Sequence, residues 1–205
     1  MVTVITRNPF SLFSILAMHN TNKSSRGNFL FLLESVPRGG TMTEDFLLDL
    51  IARQRIETVL IDYCAHLDRM DLAALGALFT TDCRVIYGDS PALQSEGRAA
   101  LEESLARMWR WQRTAHHLSN VRIRFQGDAT AQAESCVLAW HEAPDGHTAT
   151  LYGRYIDRLV QRQGNWLIAE RRMEMNGSDS GFRLPLPPAP RASPPAGWQV
   201  PEGLD

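Results

Sequence analysis

Four runs of alternating apolar and polar residues follow one another in the second half of the chain: HHLSNVRIRF, TAQAESCVLAWH, TATLYGRYIDRLV and NWLIAERRMEM. Only Gly127-Asp128, Pro144-Asp145-Gly146 and Gln163-Gly164-Asn165 separate them, and these are turn residues that favour tight hairpins. Four consecutive strands joined this way form an antiparallel meander, and alternation leaves it one apolar face that needs a cover. The cover comes earlier in the chain. From Thr43 to Asp68 the residues Ile56, Val59, Leu60, Tyr63 and Leu67 recur at helical spacing, after a more hydrophobic start at Phe46, Leu47, Leu48, Leu50 and Ile51. Asp71 reads as the N-cap of a second helix, Leu72–Phe79, because its carboxylate can accept the free amides of that turn. DCRVIYGD (82–89) reads as a short strand, and Ser95 as the start of a third helix with Ala99, Leu101, Leu105 and Met108 on one side. The expected architecture is α+β: three N-terminal helices packed on a curved antiparallel sheet that encloses a pocket.

A chain of 205 residues has room for one domain and some flanking segments. Residues 1–41 differ from the rest. They hold the only lysine, Lys23, and four of the seven asparagines, and are expected to be a leader outside the domain, with a native start at Met42. The domain is expected at 42–176, followed by an extended tail at 177–205 that carries seven of the eleven prolines, at 185–201. A formal charge of −2 supplies no basic field for nucleic acid or an anionic membrane surface, and no stretch is long and apolar enough to cross a bilayer. Cys64, Cys83 and Cys136 form neither a CxxC pair nor a zinc spacing, which points to free thiols in a reducing, cytoplasmic compartment.

The candidate chemistry gathers in YCAHLD (63–68) and TAHHLSN (114–120). Asp68 falls in the last helical turn, where the helix dipole disfavours another negative charge, so it is either a solvated partner of Arg69 or is held there for a purpose. His66 should lie on the outer surface. In the strand, parity groups His117 with Val121, Ile123 and Phe125, so simple alternation turns His117 inward and His116 outward. His141 shares the parity of Val137 and Ala139 and faces the interior. Without HxH, HxxxH or HExxH the histidines lack the usual metal spacing, and no metal or other cofactor is expected. Neither GxGxxG, a P-loop nor GxSxG is present, and a domain without lysine cannot form a lysine Schiff base. Acid–base chemistry by His, Asp and Tyr remains.

The pattern Tyr63-x4-Asp68, DLAALGALFTTDCRVIYGD, TAHHLSN, GDATAQAES and YIDRLVQRQGNWLIAERRM resembles the SnoaL-like branch of the nuclear transport factor 2-like superfamily, over about Glu44–Met175. That family includes scytalone dehydratase, bile-acid 7α-dehydratase, hexachlorocyclohexane dehydrochlorinase and polyketide cyclases. The resemblance implies a cone-shaped fold around a hydrophobic cavity, with an Asp–His dyad for proton transfer. It places the dyad at Asp68 and His116, matches Tyr63 to a tyrosine of the bile-acid enzyme, and matches Tyr87 and His141 to pocket residues of scytalone dehydratase. Leu67, Gly153 and Tyr155 stand where scytalone dehydratase has tyrosine, serine and asparagine, a departure that bears on substrate. Since it selects His116 where alternation selects His117, a bulge or twist is expected near Leu118–Asn120.

The resemblance thus implies a lyase (dehydratase) or a cyclase/isomerase, independent of cofactors. In it Asp68 orients His116, His116 abstracts a carbon-bound proton, and Tyr63, with Tyr87 or His141, hydrogen-bonds the oxygen that gains charge. Leu67, Met108, Trp109 and Trp140 would wall the site against water, although each taken singly also reads as core packing. The expected ligand is a small hydrophobic polyketide-, steroid- or terpenoid-like molecule, and the expected assembly a homo-oligomer, dimer or trimer. Two rival readings are a non-catalytic binding or assembly module, and the small subunit of a ring-hydroxylating dioxygenase, which would co-purify with an iron–sulfur subunit.

Overall fold

The computed structural model describes residues 44–179 and 196–197. The expected leader at 1–41 and nearly all of the Pro-rich tail lie outside the described residues. Among the described residues three α-helices, α1 (Glu44–Asp68), α2 (Leu72–Ala77) and α3 (Arg98–Leu105), accompany six strands. The strands are β1 (Phe79–Ile86), β2 (Gln94–Glu96), β3 (Arg113–Phe125), β4 (Thr130–Glu142), β5 (Thr148–Arg162) and β6 (Asn165–Ser178). They form one sheet in the order β2-β1-β6-β5-β4-β3, antiparallel throughout except where β1 runs parallel to β6. The α+β reading therefore holds, with the meander at 113–178 as its main body. Among the described residues no helix is long and apolar enough to cross a membrane.

Two boundaries differ from the sequence expectation. Phe79 opens β1 instead of closing α2, since its ring is fully buried against the core and its backbone pairs with β6 at Ile168. Ser95 lies in β2, paired with Val85, and α3 starts at Arg98 after Gly97, whose φ of 87° suits glycine far better than serine. A two-strand edge is thereby interposed before the third helix.

The helix α1 buries Ile56, Leu60, Tyr63, Cys64 and Leu67 in one core with inward residues of the sheet. Its apolar start is different: Phe46, Leu47, Leu48, Leu50 and Ile51 are all exposed. The helix stops through a local device. Met70 adopts φ 55°, its amide donates to Leu67 O and the Asp71 amide donates to His66 O, which together cap the last carbonyls. Asp71 then begins α2 by accepting from the Ala74 amide at 3.1 Å, as its position predicted. This tight reversal holds the last turn of α1, and with it Asp68, against β3.

Candidate active site

The decisive local feature lies in β3. Ser119 pairs with Cys136 and Arg122 with Glu134, so three steps along β3 match two along β4: one extra residue is inserted. Asn120 takes it up at φ 53°, a left-handed conformation that asparagine tolerates better than most residues. The insertion reverses parity. Val121, Ile123 and Phe125 face inward beyond it, while His116 and Leu118 face inward before it and His117 is exposed. Simple alternation is thus corrected at this point, and the bulge expected from the resemblance is present.

His116 then meets the end of α1. The Asp68 carboxylate lies 2.6 Å from the His116 ring through Oδ1 and Nδ1, and it also accepts the His116 backbone amide at 2.9 Å and the Thr114 hydroxyl at 2.8 Å. Arg69 turns instead to His66, so the surface pairing of Asp68 with Arg69 does not form. Burial alone would raise the Asp68 carboxyl, but the hydrogen bonds and charge of His116 and the Thr114 hydroxyl outweigh it and hold the group below the ordinary carboxylate value. An ionised carboxylate only accepts, so in the neutral form of the ring Nδ1 carries the hydrogen and Nε2 keeps a lone pair. Only 4 % of the His116 side chain is exposed.

That ring lines a cavity together with Tyr63, Leu67, Tyr87, Met108 and His141, six of the nine residues the sequence proposed. Asp68 stands behind His116, outside the lining. Trp109 and Trp140 are not part of the wall. Trp109 follows the buried Met108 in a short 3-10 segment (Ala106–Arg110) and is 66 % exposed. Trp140 lies between the inward-facing Ala139 and His141, which places it on the other face of the sheet. The remaining wall is largely apolar, with Leu93, Leu105, Ala139, Leu151 and Met173, and with Tyr155 below Tyr63.

Two hydroxyls meet in this cavity, Tyr63 Oη and Tyr87 Oη being 2.5 Å apart. Burial pushes both phenols far above their ordinary value, so both stay protonated and able to donate. His141 stands edge-on to His116 with ring centroids 5.4 Å apart. Burial, then the neighbouring His116, bring it down to about 4, so His141 is neutral near pH 7. Beneath the site Arg171, fully buried, lies 4.1 Å from the ring centroids of both Tyr63 and Tyr155 and forms a two-pronged pair with Asp157 at 2.7 and 2.8 Å. The sequence reading missed this pair, although Arg171 shares the strand parity of the buried Ala169 and Met173. It also gave Thr114 no role, although Thr114 stands two residues before His116 on the same strand face.

The cavity measures only about 50 Å³, room for very few water molecules. Admission of a ring-sized ligand requires a wall to move. A groove of about 580 Å³ along the first half of α1, lined by Asp45, Asp49, Arg55, Phe125, Asp128 and Trp166, is larger, but it contains no histidine or cysteine and no comparable dyad. Size alone does not locate the chemistry. Among the described residues no three His, Cys, Asp or Glu side chains are grouped as a metal would need.

Comparison with known proteins agrees with this fold. Residues 49–172 match the model of the SnoaL-like domain. A protein of Novosphingobium aromaticivorans provisionally named scytalone dehydratase is 31 % identical, with a TM-score of 0.67 over 71 % of this chain and 98 % of its own. Two further structures share the fold at lower identity. The hexachlorocyclohexane dehydrochlorinase LinA-type3 of Novosphingobium barchaimii is 18 % identical, with a TM-score of 0.58 over 69 % of this chain and 99 % of its own. ActVI-ORFA of Streptomyces coelicolor is 20 % identical, with a TM-score of 0.53 over 61 % and 97 %. No curated protein sequence matches the chain. By the match over residues 49–172, this chain belongs to the SnoaL-like domain family, within the nuclear transport factor 2-like fold.

Proposed function

We propose that the protein is a lyase of the dehydratase type, or a cyclase or isomerase, that works by proton transfer on a small hydrophobic molecule without a cofactor. One observation carries the reading: a nearly enclosed His116 imidazole, oriented by Asp68 at 2.6 Å, opens its other nitrogen to an apolar cavity that also holds the Tyr63–Tyr87 hydroxyl pair. A binding module gains nothing from a carboxylate desolvated beside a histidine, because that burial is costly unless the charge does something.

In this mechanism His116 Nε2 takes a proton from a carbon next to a carbonyl, and Asp68 stabilises the imidazolium that results. The electron pair of the broken C–H bond moves toward the carbonyl oxygen, which accepts a hydrogen bond from Tyr63, with Tyr87 supporting that hydroxyl. In an elimination the pair then forms the carbon–carbon double bond as the C–O bond breaks, and the imidazolium proton leaves with the hydroxyl as water. In an isomerisation the same proton returns to a different carbon. Neutral His141 can hold a substrate oxygen without a net charge. The resemblance to the dehydratase-named structure, at 31 % identity, supports the lyase arm of the reading. Leu138 and Tyr152, paired in register and exposed on the outer sheet face, support association of chains into a homo-oligomer through that face.

The test uses only the first half of the reaction. A cyclic ketone with an acidic α-hydrogen is incubated with the full chain in heavy water, and exchange at that carbon is followed by NMR. Wild-type protein should accelerate exchange, and His116→Ala should lose about 10²–10⁴-fold, the usual contribution of a general base. His117→Ala should exchange like wild type. Full exchange in His116→Ala with loss in His117→Ala, or wild-type exchange no faster than buffer, would overturn the reading.

A further inference from the structure

Among the described residues Arg107 and Arg110 are the only arginines that line the cavity, and neither has a role in the proton transfer just described. Both stand on the segment Ala106–Arg110, a 3-10 turn in which residues three apart eclipse one another, so their side chains leave on the same side. Arg107 lies over the Tyr87 ring at 5.4 Å and is braced by the carbonyl and hydroxyl of Ser104, both at 2.5 Å from Nη1. Arg110 lies over the Trp111 ring at 5.2 Å.

Every arginine of β5 and β6 holds a carboxylate: Arg154, Arg158, Arg162, Arg171 and Arg172. Among the described residues no carboxylate is paired with Arg107 or Arg110. Two like charges therefore share one rim, and partial burial together with the field of Arg107 weakens the hold of Arg110 on its own proton. Besides His116, which is backed by Asp68, the rest of the wall is apolar or, in Tyr63, Tyr87, Tyr155 and His141, uncharged. Such a rim lacks one component, a negative charge between the two guanidinium groups, and the planar guanidinium fork matches a carboxylate.

We infer that Arg107 and Arg110 form an anion-recognising rim on the cavity and that its substrate carries a carboxylate on an otherwise apolar ring skeleton. This rests on the acid–base reading of the same cavity. The ring enters the apolar interior toward His116 while the carboxylate stays at the mouth, where Arg110 is exposed to solvent. The rim thereby sets which end of the substrate enters first, and a neutral analogue of the same shape loses that anchor.

The experiment compares benzoate with benzamide, probes of equal shape and different charge, by calorimetric titration of the full chain. Benzoate should bind at least about tenfold more tightly. Added salt should weaken benzoate and leave benzamide unchanged, a measurement that needs no variant. In the Arg107→Gln/Arg110→Gln double variant, with its circular dichroism unchanged, the two probes should differ less than about twofold. His116→Gln should keep the preference. Equal binding of the probes to wild type, a preference that survives the double variant, one that vanishes with His116→Gln alone, or no saturable binding at millimolar concentration overturns the rim. Preference for benzoate without wild-type ketone exchange would instead remove the acid–base reading and leave the rim standing; exchange without the preference would do the reverse.

Discussion

Asp68 holds both the backbone amide and the ring of the same residue, His116, at 2.9 and 2.6 Å. One carboxylate therefore fixes strand position and ring orientation together. The Thr114 hydroxyl completes the set, so three donors converge on a side chain at the negative end of a helix dipole.

The tautomer of His116 follows from that contact. In wild type, nitrogen NMR of the ring should show the hydrogen on Nδ1 in the neutral form. Asp68→Asn should shift the balance between the two tautomers, and ketone exchange should fall with it. Asp68→Ala leaves the Thr114 and His116 donors without their acceptor and should cost about 1–3 kcal/mol in urea denaturation. A ring spectrum unchanged in Asp68→Asn would refute the orienting role.

His141 sets a pH dependence of stability. Its folded value of about 4 lies below the unfolded histidine value of about 6.5, so between these the unfolded chain binds more protons. Stability should rise with pH across that window and be lost on acidification through it, by up to about 3 kcal/mol. His141→Phe should flatten this slope, whereas the loss tied to Asp68, whose carboxyl is depressed, sets in only below the ordinary carboxylate range. Denaturation midpoints at a series of pH values check both.

Removing one member of the Arg171–Asp157 pair strands a fully buried charge. Asp157→Ala should destabilise the fold by about 3–5 kcal/mol, while Asp157→Leu with Arg171→Met should recover much of that, since apolar packing can replace a buried pair. If the double variant is no more stable than Asp157→Ala, the stacking of Arg171 on Tyr63 and Tyr155 outweighs the ion pair.

The bulge at Asn120 can be tested by backbone preference. Asn120→Gly should stay within a few tenths of a kcal/mol of wild type, and Asn120→Val should cost about 1–2 kcal/mol, because a β-branched residue resists positive φ. Thermal melts of the two variants are sufficient. Equal melting temperatures would mean that the bulge is set by its neighbours and not by this residue.

Much of the architecture is carried by periodicity. The alternation of residues 116–175 and the hairpin residues between the runs specify the meander, because each strand must turn one face to the core. The helical spacing from Ile56 to Leu67 specifies the helix that covers it. Such patterns are local, written within a few residues of one another, and a single sequence displays them. The Asp71 cap is legible for the same reason.

What the cavity contains is not local. His116 faces Asp68 only because one residue is inserted 119–122 along the strand, and alternation on either side of that point gives opposite answers. Trp109 is as apolar as any wall residue, and only the turn of the 3-10 segment sends it elsewhere, whereas the outward placement of Trp140 already follows from the alternation that turns His141 inward. Arg171 and Asp157 lie 14 residues apart on two strands and meet because β5 and β6 pair in register. The sequence by itself determined the strands, the covering helix and the kinds of side chain available for proton transfer. Tertiary structure alone decided which of them share a cavity, because strand register and a one-residue bulge are set by long-range pairing that no local pattern records.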